Sequence, residues 1–341
     1  MRRWLAIVVG LVFSAVWTAS AGATTPPSTD GVPQFGNVFV IVGENTELSA
    51  LTKNNAPYLL GTIKPESAWL TNYWATTHYS ESNYVAMTSG QFSPCEQKDG
   101  SIASCHQNVP NLFNQLDVTY GPGAWQSWME SMPFACDVNS AGGDKTLNHY
   151  APKHNPALVY DDVAGTWSGT TLTPSSECLT QDITASAINP DGSVPPDDMS
   201  AFNSPLSLGN VSRFNFIVPN ECEDGHSNCS PSGNEVGQFD AFLRREVPLI
   251  TSSPAWGPTS VLFITFDEGT INSPNHADKF GQGGNVAFAV ISPLANIGTY
   301  GNMWDHYSFL RTLQDGLGTS GLGYLDNAGA PGESSISTIW K

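Results

Sequence analysis

The amino-acid sequence predicts an α/β fold built on a mostly parallel central sheet. Three apolar, largely β-branched runs of strand length stop abruptly at a carboxylate or an amide; they end near Val42, Val218 and Phe266. Helical periodicity separates the second run from the third. Continuous apolar strands that alternate with helices are typical of a parallel sheet. The length of 341 residues and the 40% hydrophobic content favour one large domain, over residues 37–341, with long loops.

Short runs rich in β-branched and aromatic residues mark the strands. Such runs, bounded by Gly, Pro, Asn or Asp, are typical of strands that are buried in a sheet. The segment 124–130 has both strand and helix character, and we leave it as either one. The expected strands cover residues 37–42, 69–74, 214–218, 261–266 and 286–291.

Amphipathic spacing and capping residues mark the helices. Apolar residues share one face through residues 234–247, which is the pattern of an amphipathic helix. A second helix is expected to have Ser80 or Ser82 as its N-cap and to stop at Gly90. Further helices are expected over residues 54–60, 111–116, 180–187 and 307–317.

The amino terminus has the pattern of a secretory signal peptide. Two arginines precede an apolar run over residues 5–16 that is too short to span a bilayer, and Ala-Gly-Ala at 21–23 fits a cleavage site. We predict a signal peptide over residues 1–23 and a flexible, Thr- and Pro-rich lead-in over 24–36. An uncleaved anchor is the alternative. Cleavage predicts a secreted, extracellular protein, or a periplasmic or cell-wall protein, without a stable membrane anchor.

Export permits disulfide bonds, and the chain has six cysteines, an even number. Many pairings are possible. The absence of Cys-x-x-Cys disfavours a zinc cluster. The simplest set of disulfides is Cys95–Cys105, Cys136–Cys178 and Cys222–Cys229.

Residues 163–205 are rich in Ser, Thr, Gly and Pro, and we expect them to form a long excursion over the surface.

The formal net charge of −18 limits the classes of partner. Nucleic acid requires a basic surface, so a nucleic-acid-binding function is disfavoured. The charge also discourages anionic substrates at long range. A bound cation would reverse the sign of the charge locally.

Three of the strands end at oxygen-bearing side chains, an arrangement that could bind a metal at one edge of the sheet. The strand over 214–218 leads to Asn220 and Glu221. Glu44 and Asn45 follow the first strand, and Asp267 and Glu268 follow the strand over 261–266. In open α/β sheets, ligands bind outside the carboxyl ends of the strands, and oxygen ligands suit a hard cation. Gly269 would permit the turn that lets both acids face one ion. The alternative for Glu44-Asn45 is a turn with Asn45 in the left-handed conformation, and the alternative for Asp267-Glu268 is a solvated turn.

Two further segments supply candidates for acid–base and nucleophilic chemistry. Asp224 and His226 lie inside the loop that the Cys222–Cys229 bridge would close, a suggestive position for acid–base work, although an ordinary polar loop explains it equally well. Ser80 would lie at a helix amino terminus, where backbone N–H groups can hold a phosphate. Ser82 and Thr88 are the competing hydroxyls.

Several segments, in this order, resemble the secreted phosphoesterase family that contains acid phosphatases and phosphatidylcholine-type phospholipases C. Each segment alone is modest, and their order and spacing together are specific. The resemblance covers most of the chain, from about residue 37 to residue 317. The segments are Phe-Val-Ile-Val-Gly-Glu-Asn ending at Asn45, His78–Gly90, Lys153–Pro156, Ile217–His226, Phe263–Gly269 and His306–Thr312.

The resemblance implies a fold, a metal site and a mechanism. The fold would be an alkaline-phosphatase-like three-layer α/β/α sandwich, and the nucleophile would be Ser80. His154, Asp224 and His226 would surround the phosphoryl group or its leaving oxygen. The metal would be one divalent ion, Ca, Mg, Mn or Zn. Its ligands would be Glu44, Asn45, Ser80, Asp267 and Glu268.

We therefore expect a secreted metal-dependent phosphoesterase that hydrolyses phosphate monoesters, and we expect a monomer. The chain lacks the long carboxyl-terminal extension of bacterial phosphatidylcholine-cleaving members, which favours the phosphatase-like branch. One alternative is a phospholipase C that acts on phospholipid head groups and needs an apolar rim. Another is a non-catalytic glycan-binding protein on the same fold. The candidate rim residues are Trp69, Trp74, Trp125 and Trp128.

Overall fold

The structure, a computed structural model, describes most of the chain after residue 29. The described residues are 30–91, 99–139, 149–191, 193–195, 197–229, 233–270 and 283–341. The strands are β1 (Val38–Gly43), β2 (Ala68–Trp74), β3 (Trp125–Met129), β4 (Gly165–Ser168), β5 (Thr171–Pro174), β6 (Asp182–Thr184), β7 (Phe214–Val218), β8 (Val261–Phe266), β9 (Asn285–Ile291), β10 (Gly298–Tyr300) and β11 (Trp304–Asp305).

Nine of the described strands form one mostly parallel sheet. The order is β10-β2-β9-β8-β1-β7-β3-β6, with β11 also paired to β2, and β4 and β5 form a separate hairpin. Strand β1 is central, because Val38 pairs with Phe214 of β7 on one side and with Val261 of β8 on the other, both in parallel register. Only β9 runs antiparallel to its neighbours in this sheet. The mostly parallel sheet predicted from the sequence is confirmed.

Helices cover the sheet in two groups, which gives the three-layer α/β/α arrangement. In one group α1 packs against α8 and α3, and in the other α6 packs against α7. The helices are α1 (Ser80–Ser89), α2 (Ile102–Cys105), α3 (Leu112–Tyr120), α4 (Asp161–Ala164), α5 (Ser176–Gln181), α6 (Ser200–Ser207), α7 (Glu235–Ser252) and α8 (His306–Gly316). Short 3₁₀ or π turns lie at Leu48–Ala50, Leu59–Ile63, Lys64–Glu66, Pro152–His154, Pro156–Val159, Ser320–Leu322 and Asp326–Gly329.

Two of the sequence-based element assignments differ from the structure, and a third segment, left open, is decided by it. Of the helix expected over 54–60, residues 54–55 belong to a turn, and helical structure begins at residue 57 and continues into the π-helical turn at Leu59–Ile63. The helix expected over 180–187 is wrong: α5 ends at Gln181, and β6 follows at once because it pairs in parallel with β3 at the edge of the main sheet. Segment 124–130, which the sequence left undecided, contains β3.

The start of α1 also differs from the prediction. Ser80 is the first helical residue, and Tyr79 occupies the N-cap position. The side chain of Tyr79 makes no capping hydrogen bond. Ser80 does not cap the helix because its hydroxyl donates to Glu44 instead. The predicted stop at Gly90 is confirmed, since Gly90 adopts the left-handed conformation with φ 72°.

The core includes three of the four tryptophans considered for an apolar rim. Trp69, Trp125 and Trp128 are buried. Trp74 is partly exposed, and its indole N–H donates to Asn72. The apolar rim that a phospholipid substrate would need therefore does not come from Trp69, Trp125 or Trp128.

Two of the three predicted disulfides, Cys136–Cys178 and Cys222–Cys229, are present. Cys105 is also disulfide-bonded, and Cys95 lies outside the described residues. The predicted signal peptide and residues 24–29 of the lead-in also lie outside them. Within the described parts of the chain, no helix combines the length and apolarity needed to cross a membrane.

Candidate functional site

The register of the sheet brings the two acidic strand ends together. Gly43, the last residue of β1, pairs with Phe266, the last residue of β8, so Glu44 and Asp267 leave adjacent strands at the same level. The backbone N–H of Asn45 donates to Asp267 Oδ1 at 2.9 Å, and Asn45 takes a left-handed conformation with φ 47°. Glu44 and Asp267 are fully buried. The sheet therefore holds their carboxylates next to each other at its carboxyl edge.

Strand β2 delivers Ser80 to the same edge. Because β2 and β8 are both antiparallel to β9, they run in the same direction, and the loop after Trp74 leads to α1 at this edge. Tyr79, immediately before Ser80, has φ 79°, a conformation that is strained for a bulky residue. Asn83 holds the loop by accepting from the N–H of Thr77 at 3.1 Å and donating to the carbonyl of Tyr79 at 3.3 Å.

Ser80 contacts two of the acids. Its hydroxyl donates to Glu44 Oε1 and lies 3.5 Å from Glu268 Oε1. Glu268 also accepts from the N–H of Tyr79 at 3.1 Å, and its other oxygen lies 2.6 Å from His78 Nδ1. The hydroxyl of Ser80 is thus surrounded by acceptors, which is an arrangement that orients its proton away from the solvent.

The loop after β7 adds Asp224, and the turn Pro152–His154 adds His154. The N–H of Glu44 donates to the Asp224 carbonyl at 2.7 Å, and Asp224 Oδ1 accepts from the N–H of His226 at 2.9 Å. Buried His154 bridges two carboxylates, with Nε2 2.7 Å from Glu44 Oε1 and Nδ1 3.7 Å from Asp224 Oδ2. The half-exposed imidazole of His226 has its Nε2 3.9 Å from Glu44 Oε2.

Burial and mutual repulsion dominate the electrostatics of these acids. Burial raises the pKa of Asp267 well above its ordinary value, and the charges of Glu44 and Glu268 raise it further. Burial and Glu44 raise the pKa of Asp224 in the same way. For Glu44, burial opposes ionisation, but the positive charges of His154, Lys153 and His226 together outweigh it and lower the pKa below its usual range. Such a cluster is stable as carboxylates only with further positive charge nearby.

Unpartnered buried oxygens indicate what this cluster lacks. Glu44 Oε2, Asp224 Oδ2 and Asp267 Oδ2 are buried without a hydrogen-bond donor. Unsatisfied buried carboxylate oxygens are costly unless a cation compensates them. The donor set of carboxylates, an amide and a hydroxyl suits a hard divalent cation. The residues present therefore fit a divalent metal.

Other potential ligand clusters fit a metal less well. Among the described residues, groups of three His, Cys, Asp or Glu with ligand atoms mutually within 4.8 Å occur twice, and each contains a disulfide-bonded cysteine pair. The carboxylates of the candidate site lie further apart than the ligand atoms of these two groups. A metal held there would therefore need further ligands, which Asn45 and Ser80 would supply. The two groups are His149 with Cys222 and Cys229, and Asp182 with Cys136 and Cys178.

A polar cavity of about 450 Å³ gives access to Ser80. Of the predicted site residues, Asn45, Ser80, His226 and Glu268 line it. Glu44, Asp267, Asp224 and His154 do not line this cavity, and all four are buried. All eight predicted residues thus belong to one connected cluster, with four at its surface and four beneath. The described residues that line the cavity are Asn45, His78, Tyr79, Ser80, Asp99, Lys153, His226, Glu268, Gly269 and Thr270.

Several residues of this cluster had no role predicted from the sequence. His78 contacts Glu268, and the ammonium of Lys153 lies 2.8 Å from Asp99 Oδ2 at the cavity wall. His306, in the last of the family-like segments, lies with Nε2 2.6 Å from the carbonyl of Asp267. The only sequence signal for His78, Lys153 and His306 is their position inside those segments. Nothing in the sequence around Asp99 indicates its place.

Comparison with known sequences decides the family. Residues 35–318 match the Phosphoesterase family. The chain belongs to the phosphoesterase family. As a phosphoesterase it is a hydrolase of phosphoester bonds, as the sequence predicted. The match covers every element of the candidate site.

Curated relatives of this phosphoesterase are phosphatases. It is 25% identical to a phosphatidylinositol-3-phosphatase of Mycobacterium tuberculosis, over 98% of this chain and 93% of that protein. It is 27% identical to a probable acid phosphatase of Kluyveromyces lactis, over 82% of this chain and 58% of that protein. A phosphate-repressible acid phosphatase of Penicillium chrysogenum is also 27% identical, over 86% and 61%. The phosphoesterase thus spans about three fifths of the length of these fungal relatives.

Solved structures with a similar fold include a member of the alkaline phosphatase superfamily. The lipoteichoic acid synthase LtaP of Listeria monocytogenes matches with a TM-score of 0.52 at 12% identity, covering 90% of this chain and 78% of that chain. A protein in the alkaline phosphatase superfamily from Vibrio parahaemolyticus matches with a TM-score of 0.52 at 10% identity, covering 91% and 76%. At such identities the likeness shows the fold alone, and it confirms the fold class expected from the sequence.

Proposed function

We propose that this phosphoesterase hydrolyses phosphate monoesters with Ser80 as its nucleophile and with a divalent metal held by Glu44, Asn45, Ser80, Asp267 and Glu268. The observation that carries the proposal is the position of the Ser80 hydroxyl. It lies at the amino terminus of α1, lines the polar cavity, and contacts both Glu44 and Glu268. The competing hydroxyl of Ser82 is buried and does not line this cavity.

The chain's own residues account for the steps of the reaction. Ser80 Oγ, after it has released its proton to solvent, attacks phosphorus as the bond to the leaving alkoxide breaks, which gives a phosphoserine and, once the alkoxide is protonated, a free alcohol. His226, half-exposed at the cavity, donates the proton that the leaving oxygen takes. Water then attacks the phosphoserine and gives a proton to His226, which releases inorganic phosphate, restores the Ser80 oxygen and recharges His226. When bound, the metal supplies positive charge that neutralises phosphoryl oxygens and favours the deprotonated serine.

His154 and Asp224 act as positioning residues in this proposal. Both are buried behind Glu44, and neither lines the cavity. His154 lies between the carboxylates of Glu44 and Asp224, so it fixes the orientation of Glu44 towards Ser80. Its ring also packs on Tyr84, with centroids 5.4 Å apart and planes inclined by 20°.

The experiment compares Ser80→Ala with Ser82→Ala on a soluble phosphomonoester, after metal depletion and after addition of Ca, Mg, Mn or Zn. Ser80→Ala is expected to lose at least about 10³-fold in kcat, as loss of a nucleophile does, while it still binds metal. Ser82→Ala is the matched control and is expected to retain activity. Near-full activity of Ser80→Ala would refute the serine nucleophile. Full activity of metal-free wild-type protein would refute metal dependence.

A lipid phosphomonoester is the second candidate substrate, because a relative that covers almost the whole chain is named a phosphatidylinositol-3-phosphatase. The only large apolar side chain exposed at the described cavity lining is Tyr79, 45% exposed. This narrow apolar contribution favours small soluble monoesters. Parallel assays with 4-nitrophenyl phosphate and with phosphoinositide vesicles separate the two substrates. Failure to hydrolyse either one, with folding intact, would favour a binding protein instead.

A further inference from the structure

We propose that Lys153 binds the phosphoryl oxygens of the substrate and that Asp99 is the internal counter-ion which phosphate displaces. This inference rests on the proposed function, because it assigns a substrate-binding residue to the same cavity. The two residues line the cavity together with Ser80, and the lysine ammonium lies 2.8 Å from Asp99 Oδ2.

The charge of the cavity creates the need for such a residue. Glu268 and Asp99 line the cavity, and Glu44 and Asp267 lie behind Ser80. One divalent cation carries too little charge to offset four carboxylates. A dianionic phosphate would therefore still meet excess negative charge, in a chain whose net charge is −18. Binding of phosphate requires a further cation that faces the cavity.

Lys153 is the one Lys or Arg among the described residues that line this cavity. Burial opposes its charge, but Glu44 and Asp99 outweigh burial and raise the pKa of Lys153 above its ordinary value. The side chain is 26% exposed, so the ammonium is accessible from the cavity. Lys153 therefore offers a permanent positive charge beside the nucleophile.

The backbone of Lys153 is fixed, while its side chain is free to change partner. The residue lies in the 3₁₀ turn Pro152–His154, where the N–H of His154 donates to Ala151 at 3.0 Å and the N–H of Asn155 donates to Pro152 at 2.9 Å. The adjacent His154 is buried against Glu44. The turn therefore holds the lysine at the cavity wall, and a flexible four-carbon stem lets the ammonium move locally.

The ion pair between Asp99 and the ammonium of Lys153 can be broken at low cost. Its carboxylate is 29% exposed, so water reaches this ion pair and screens it, which reduces its contribution to stability. Its other oxygen accepts from the N–H of Glu81 at 3.3 Å, which holds Asp99 beside the start of α1. Phosphate offers the ammonium more negative charge than one carboxylate does. Exchange of Asp99 for phosphate would thus be favourable and would leave the cavity less negative around the substrate.

Replacement of Lys153 and replacement of Asp99 should change the affinity for phosphate in opposite directions. A purely structural role of the pair would not produce opposite changes. Lys153→Met removes the cation, so the inhibition constant of inorganic phosphate and the KM of a phosphomonoester should rise about tenfold, as expected for loss of one charged hydrogen bond. Asp99→Asn removes the competitor, so both constants should fall about twofold or more. Lys53→Met and Glu66→Gln, at exposed positions that do not line this cavity, change the net charge equally and serve as controls.

The measurements are KM, kcat and phosphate inhibition, together with calorimetric binding of inorganic phosphate at a fixed concentration of Mg²⁺ and the Tm of each variant. Opposite shifts of phosphate affinity in the two variants, with control values unchanged, support the proposal. Weakened phosphate binding in both variants, or Lys153→Met within twofold of Lys53→Met, would overturn it. Wild-type protein that binds phosphate through Lys153 without hydrolysing any phosphoester would sustain this inference and refute the proposed function. If Lys153→Met hydrolysed phosphoesters with unchanged phosphate affinity, the proposed function would be sustained and this inference would be refuted.

Discussion

His306 Nε2 lies 2.6 Å from the backbone carbonyl oxygen of Asp267, so helix α8 fixes the point at which β8 ends. A carbonyl oxygen only accepts hydrogen bonds, so Nε2 carries the proton, and Nδ1 accepts from the hydroxyl of Tyr73 at 2.8 Å. Burial lowers the pKa of His306 to about 4, which keeps the ring neutral in this role. The imidazole thus ties β2, β8 and α8 together behind the candidate metal ligands.

The first prediction concerns this tie. His306→Asn should lower metal affinity or activity by about 10- to 100-fold, the usual cost of removing a residue that orients a metal ligand. His106→Asn is the control, because His106 pairs with Asp161 and stacks on Trp167 outside the candidate cavity. Metal titration and kcat measure the effect. Equal metal affinity in the two variants would contradict a positioning role for His306.

The second prediction concerns the strained turn before Ser80. Asn83 donates to the carbonyls of Thr77 and Tyr79 at 2.7 and 3.3 Å, and its oxygen accepts from two backbone N–H groups. Asn83→Asp keeps the acceptor and loses both donated bonds, so it should cost about 2 kcal/mol of stability and about tenfold in kcat, since Tyr79 would relax. Asn210→Asp, at an exposed position, supplies the same charge change. Urea unfolding and kinetics measure both. An unchanged kcat would show that this turn does not set the position of Ser80.

The sequence predicted the strand ends of the site because their signal is local. The apolar runs before Glu44 and Asp267 contain their own stop signals, and adjacent parallel strands bring such ends to one edge. The central strands and α8 were predicted for the same reason. Segment 180–187 was assigned wrongly because β6 is a strand only through its pairing with β3, which is a long-range interaction.

The remaining residues of the site depend on contacts that no local pattern encodes. Asp99 and Lys153 meet across a separation of 54 residues, and His306 reaches Asp267 from 39 residues away. The N-cap of α1 was assigned wrongly because Ser80 bonds to Glu44, just after strand β1, instead of to its own helix. Such pairings follow from tertiary structure and have no signature in a single sequence.

The third prediction concerns the ion pairs that connect α7 to the loop that contains Asp224. Arg245 makes two bonds to Glu223, at 2.9 and 2.5 Å, and a third to Glu246 at 2.7 Å. A lysine cannot reproduce this forked geometry. Arg245→Lys should therefore lower the free energy of unfolding by about 1 kcal/mol, since Arg245 is partly exposed. It should also lower kcat, because Asp224 follows Glu223 directly.

Arg244→Lys is the matched control for this prediction. Arg244 precedes Arg245 on α7, is 60% exposed, and pairs with Asp240 at 3.5 Å. Its replacement should leave kcat within twofold of wild type. The free energy of unfolding should stay within about 0.5 kcal/mol of wild type. Denaturant unfolding and steady-state kinetics on both variants decide the matter. If the two variants lost equal activity, the loop would not depend on the Arg245 fork.

The fourth prediction concerns the pH dependence of stability. Asp182, at the start of β6, is fully buried, and burial raises its pKa to about 7, although Asn155 Nδ2 donates to its oxygens at 2.8 and 2.9 Å. The unfolded chain ionises this group near its ordinary value of 3.8. Between these values the folded state binds more protons than the unfolded state. Stability from this group is therefore complete below about pH 4 and is lost as the pH rises through 7.

Asp182→Asn removes this titration while it keeps the shape of the side chain. From about pH 4 to 7, the free energy of unfolding of wild type should fall relative to that of the variant by up to about 1.4 kcal/mol per pH unit. Other titrating groups contribute equally to both proteins and cancel in the difference. Asp191→Asn, at an exposed position, is the control and should give a curve parallel to wild type. Urea unfolding of the three proteins across this range is the measurement. A constant difference between wild type and Asp182→Asn would mean that Asp182 ionises normally despite its burial.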